Sequence, residues 1–162
     1  MVEAGQEKLL LDAGRGVTIR LNQIKVPIGA ITATFFTHFH SDHVNGLPDL
    51  WLTGWIDRPY GGRRGPFRII GPTGTTALMQ NLEKAYADDL RIRWDHEHFA
   101  MEAIAIAPSE FREGCAVYSR NGVTVTAFEV DHGKYIKPAY GYRVDYAGRS
   151  VVISGDTRYS DT

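Results

Sequence analysis

The apolar positions fall into two rhythms. Ile31 to Phe36 (ITATFF) is β-branched and aromatic with no breaker, the pattern of a strand covered on both faces, and it runs straight into His38. Lys8 to Asp12 reads as a second short buried strand, broken at Ala13-Gly14, and Phe67 to Ile70 (FRII) as a third. A helical spacing replaces this pattern elsewhere. Val17 to Val26 mixes apolar and polar residues at such a spacing. Asn45 to Ile56 places Leu47, Leu50, Trp51 and Trp55 on one face, with Pro48 in its first turn. Thr73 or Thr75 is placed to cap a further helix from Thr76 to about Asp89, with Leu78, Leu82 and Tyr86 in register.

Beyond Cys115 the pattern is strand throughout: Ala116 to Tyr118, Val123 to Val130, Gly141 to Tyr146 and Ser150 to Ser154. Asn121-Gly122 and Ala147-Gly148 are the turns that imply antiparallel hairpins. Arg58 to Pro66, rich in Gly, Pro and Arg, reads as an exposed loop, and Arg91 to Glu113 shows no clear period. Strands and helices mix without a repeat or a linker, which predicts one α/β unit over residues 1–162.

Composition narrows the setting. Lys plus Arg (18) nearly balance Asp plus Glu (19), so net charge favours no polyanionic partner. The single cysteine excludes an intramolecular disulfide and a thiolate-rich metal site, and fits a reducing, cytoplasmic setting. No stretch approaches the roughly 20 apolar residues that span a bilayer, so no membrane partner is expected.

Chemistry concentrates in Thr37 to His43 (THFHSDH). His38, His40, Asp42 and His43 fall within six positions at a strand end, where imidazoles and a carboxylate converge on a small volume. Imidazole and carboxylate donors suit zinc, with manganese or iron as harder alternatives. Asp42 and His43 are adjacent and cannot easily aim where His38 and His40 aim, so two metal positions are expected. Two ions need a bridging ligand, and Asp156, in SGDT after the apolar run Val151 to Ser154, stands where one would; a turn or cap is the ordinary alternative. His132 follows a strand in the same way, although a lone histidine is more often a satisfied surface or core group. His96 and His98 repeat an HxH spacing, but in a polar segment without a partner carboxylate block, and read as an exposed loop. Arg63 and Arg64 suit contact with a phosphate or simply a solvated loop. Trp51 and Trp55 read as core.

THFHSDHVNGLPDL resembles the HxHxDH signature of the metallo-β-lactamase superfamily. GPTGT, VDHG followed by GYRV, and SGDT resemble, in order, the next blocks of its ribonuclease Z and arylsulfatase-like branch. The resemblance implies an αββα sandwich of two sheets with helices outside and the metals at the strand ends. It implies that His38, His40 and His132 bind one zinc, Asp42 and His43 the second, and that Asp156 bridges both. His40 stands where flavodiiron proteins carry Glu, and Asp131 where glyoxalase II and lactonase types carry Gly, which disfavours both.

The activity so implied is a phosphodiesterase or RNase Z-like endoribonuclease. A hydroxide shared by two zinc ions would attack, with Asp42 orienting it and accepting its proton. A lactonase, an arylsulfatase or a catalytically silent metal-binding module is the alternative. The substrate is then RNA or a small-molecule ester, and the resemblance extends to a homodimer. It also implies a strand ahead of Lys8 and a last histidine ligand after SGDT. The chain is accordingly read as an incomplete copy of the fold, lacking its N-terminal and C-terminal parts.

Overall fold

The computed structural model describes residues 1–56, 59, 61–112 and 114–159. In chain order it forms β1 (Val2–Ala4), β2 (Glu7–Leu11), α1 (Val17–Gln23), β3 (Ala33–Phe35), α2 (Ser41–Val44), α3 (Leu47–Trp55), β4 (Phe67–Pro72) and α4 (Thr75–Ala85). There follow α5 (Ala87–Glu97), α6 (Met101–Ile104), β5 (Ile106–Phe111), β6 (Ala116–Arg120), β7 (Val123–Glu129), β8 (Tyr140–Tyr146) and β9 (Arg149–Ile153).

A five-stranded sheet has the order β1-β2-β3-β4-β5, and a four-stranded sheet runs β6-β7-β8-β9. β2 to β5 are parallel neighbours, and the helices cross between them. β1 pairs antiparallel with β2, so a strand does stand ahead of Lys8. The second sheet is antiparallel throughout. Its hairpins turn at Asn121-Gly122 (φ 50° and 76°) and Ala147-Gly148 (φ 49° and 74°), the left-handed pairs that match strand twist.

Two cores explain the two rhythms. Adjacent residues of the parallel strands point to opposite faces. Leu9, Phe35 and Ile70 pack against Val125, Tyr140 and Tyr142 between the sheets, while Leu10, Phe36 and Ile69 pack against Leu47, Leu50, Trp51 and Met79 under the helices. A strand buried on both faces has no polar side to alternate, hence the unbroken runs. Each such large side chain contributes roughly 1.5–3 kcal/mol on burial. β7 alternates buried and partly buried positions because only one face of the second sheet meets the core.

Some boundaries depart from the sequence reading. The helix expected to run from Thr76 to Asp89 ends at Ala85: Tyr86 caps it and packs on the helix-side core, so the chain bends before α5. The region from Arg91 onward holds α5, which buries no residue. It carries i,i+4 pairs instead, Arg93 with Asp89 (3.1 Å) and with Glu97 (3.4 Å), so no apolar period betrays it. Arg58 and Glu113, named at segment ends above, lie outside the described residues.

Candidate metal centre

The site forms where three segments leave their strands at one edge of the sandwich. β3 ends at Phe35, and Thr37 to His40 continue it in extended form. His40 (φ −60°, ψ 143°) caps α2, which carries Asp42 and His43, so these two sit on a one-turn helix. His132 follows β7 and Asp156 follows β9. The two sheets are tied together here: Tyr140 N–H donates to Thr37 O (3.0 Å), and the Tyr142 hydroxyl to Phe36 O. At Gly155 (φ 63°) an added Cβ would lie 2.9 Å from Thr37 Cγ2, so glycine permits the turn that brings Asp156 in.

The structure gathers His38, His40 and His132 so that one ring nitrogen of each lies within 4.8 Å of the others, and likewise His38, His43 and the Asp156 carboxylate. The Asp156 Oδ2 atom stands 3.3 Å from His43 Nε2 and 3.8 Å from His132 Nε2. Asp42 lies at the margin, its carboxylate 73% exposed and 3.7 Å from His43 Nε2.

Hydrogen bonds fix which nitrogens face inward. The Thr37 hydroxyl donates to Asp12 Oδ2 (2.8 Å), so its contact with His38 Nδ1 (3.0 Å) has the imidazole as donor. His43 Nδ1 donates to the same Asp12 oxygen (2.8 Å). Both Nε2 atoms then carry lone pairs directed into the site. Burial pushes the His38 pKa down, helped by the neighbouring His43, His40 and His132. Burial also acts against protonated His43, but the hydrogen bond and charge of Asp12, with Asp156 and Asp42, outweigh it and raise that pKa.

The residues fit a divalent cation. His38 Nε2 and His132 Nε2 are buried without a hydrogen-bond partner among the described residues. An orphaned buried acceptor costs about 1–3 kcal/mol unless something binds it. Nitrogen and carboxylate donors without a thiolate suit zinc first, then manganese or iron.

Asp12 escaped sequence reasoning. It accepts hydrogen bonds from Thr37 N–H (2.8 Å), the Thr37 hydroxyl and His43, and takes a left-handed backbone (φ 60°) to do so. Its signal was present, an aspartate directly after an apolar strand, as at Asp156.

Other expectations resolve away from the site. Arg63 is buried and donates Nε to Ala103 O and Nη2 to Trp51 O, both at 2.7 Å, beneath the Phe67 ring. It anchors a loop and is not a phosphate contact. Arg64 shares a surface cavity with Glu97 and His98. His96 and His98 are exposed as expected, though at the end of α5 rather than in a loop. Trp51 and Trp55 are core residues whose indole N–H groups donate to Ile104 O and Ala100 O.

Two stacked sheets, the first covered by helices on its outer face, with a histidine-rich cluster at the strand ends, have the architecture of the metallo-β-lactamase fold. Known structures agree. Human tRNase Z, short form, superposes with a TM-score of 0.72 at 22% identity, covering 95% of this chain and 60% of that one. Zn(2+)-bound PqqB from Methylobacterium extorquens superposes at 0.68 and 18%, covering 99% and 53%. A family model described as Anti-Pycsar protein Apyc1 matches residues 1–162, and the chain belongs to that family. It is also 33% identical over 157 residues to a ribonuclease Z of Mycobacterium marinum and 36% identical to one of Mycobacterium avium. Each match covers 97% of this chain and 55% of the relative, so the chain spans about half the length of these relatives.

Proposed function

We propose that the chain serves a metal-dependent phosphodiesterase of the RNase Z-like kind, acting on RNA at a dinuclear zinc centre. The observation that carries this reading is the place of Asp156: one carboxylate oxygen lies near a histidine of each triad, as a bridging ligand requires. His38, His40 and His132 would hold one ion, His43 and Asp42 the other, and Asp156 both. When bound, such ions supply Lewis acidity and a water ligand whose pKa falls to about 7.

The chain's own groups do the rest. Asp42, largely in solvent beside His43, would orient the attacking water and take its proton. Asp12 and Thr37 hold the imidazoles of His43 and His38 with their lone pairs inward. The ribonuclease names of the relatives favour RNA over a small ester. We further propose a cytoplasmic homodimer; no helix among the described residues is long and apolar enough to cross a membrane.

Metal content and turnover test the proposal together. Purified protein should carry about two zinc ions per chain, with Asp156→Ala losing both and His132→Ala chiefly the first. Hydrolysis of bis-p-nitrophenyl phosphate and of RNA, without turnover of an aryl sulfate or a lactone, is the expected outcome. Turnover of the lactone or sulfate alone, or unchanged metal in the Asp156 variant, would overturn it.

A further inference from the structure

A cavity of about 210 Å³ opens at the first triad and extends beyond its histidines. His38 and His40 form one wall. The others come from Phe39 and from the loop carrying Tyr135 and Lys137. Phe39 sits between two site histidines and is held edge-on to Phe36, ring centroids 6.1 Å apart, with 38% of its surface open. Tyr135 is 88% exposed, so burial does not keep it there. Its loop is nonetheless anchored. Gly133 N–H donates to Asp131 Oδ1 (2.8 Å), and Arg158 N–H donates to Asp131 O (2.7 Å). Lys134 Nζ lies 5.4 Å from the Tyr135 ring centroid, a cation–π distance.

The geometry points to this cavity as a nucleobase subsite, with Phe39 the fixed wall and Tyr135 the stacking partner; this rests on the phosphodiesterase reading above. Every base offers a flat π face, so two aromatic rings beside the reacting phosphate hold a nucleotide without selecting its sequence. Lys137 on the same rim supplies a cation for a phosphate oxygen, which suits a nucleoside phosphate better than a neutral aryl ester. Phe39 and Tyr135 are therefore specificity-determining residues, acting on the base rather than on the bond that breaks.

Calorimetric titration of the zinc-loaded chain with AMP and with ribose 5-phosphate isolates the base. A stacked base raises affinity about tenfold, so AMP should bind about tenfold more tightly. That advantage should shrink to within twofold in Tyr135→Ala and persist in Tyr135→Phe, which keeps the ring and loses the hydroxyl. Equal affinities in the wild type, or an advantage untouched by Tyr135→Ala, overturn the subsite. The two readings fail separately. Diester cleavage with no AMP preference removes the subsite alone, whereas an AMP preference without cleavage of any diester removes the phosphodiesterase.

Discussion

Asp12 Oδ2 and His43 Nδ1 are joined at 2.8 Å, and the same oxygen receives the Thr37 hydroxyl, so one carboxylate orients two of the site histidines. Outer partners of this kind typically set metal affinity by 10–100-fold. Asp12→Ala should weaken zinc binding by about that factor while His38, His40 and His132 keep the first ion, as read by competition with a chromophoric chelator. Affinity equal to wild type would show that Asp12 is no more than a strand-end cap.

Gly14 gives α2, the helix of Asp42 and His43, room. A Cβ there would meet the Asp42 carbonyl oxygen at 2.2 Å, a backbone atom that cannot swing aside. Gly14→Ala should therefore displace α2 and lower zinc occupancy. Gly16 is the control: its φ of 78° favours glycine but nothing lies within 4 Å, so Gly16→Ala should cost about 1–2 kcal/mol of stability and leave zinc in place. Equal zinc content in both variants would sink the distinction.

Much of this was legible in the sequence, for a definite reason. The parallel strands are buried on both faces, so Phe35 and Phe36, or Ile69 and Ile70, appear as unbroken apolar runs, and the site histidines stand where those runs stop. The antiparallel hairpins announced themselves through Asn121-Gly122 and Ala147-Gly148, whose left-handed turns demand such residues. What stayed hidden lacked a periodic signal. α5 is held by Arg93 bonding Asp89 and Glu97 rather than by an apolar stripe. Asp12 looked like the end of a strand because its partners, Thr37 and His43, are remote in sequence. Arg63 misled in the opposite sense, since a Gly-rich neighbourhood suggests exposure and only the fold reveals the buried carbonyls it serves.

Those carbonyls set a stability prediction for Arg63. Burial pulls its guanidinium down to about 10, still charged at neutral pH, and its bonds to Ala103 O and Trp51 O tie the loop to α3 and α6. Hydrogen bonds from a charged donor are worth about 1.5–3 kcal/mol each. Arg63→Met, which keeps most of the bulk, should lower stability by about 2–4 kcal/mol in chemical denaturation, with zinc affinity unchanged. Full stability with a loss confined to substrate binding would restore the phosphate-contact reading.

Glu7 should make the fold acid-sensitive at a place away from the histidine cluster. It is 1% exposed in β2 and accepts from the Tyr118 hydroxyl (2.5 Å) and Asn121 Nδ2 (2.6 Å), with Arg120 Nε at 3.7 Å, so it pins the first sheet to the second. Burial works to raise its pKa, but the hydrogen bonds from Tyr118, Thr32 and Asn121 and the charge of Arg120 together bring it below the ordinary 4.5. The folded protein thus binds this proton less readily than the unfolded chain. The contribution is fully present above pH 4.5 and is lost as pH falls through the folded value. Glu7→Gln turns one acceptor into a donor facing Tyr118 or Asn121 and should cost about 1–3 kcal/mol at pH 7. It should also flatten the fall in stability as pH drops below 4.5, measured by urea denaturation over a descending pH series. A variant whose stability falls as steeply as wild type there would mean that other carboxylates govern acid unfolding, and that the Glu7–Tyr118 link holds the sheets together by shape rather than by charge.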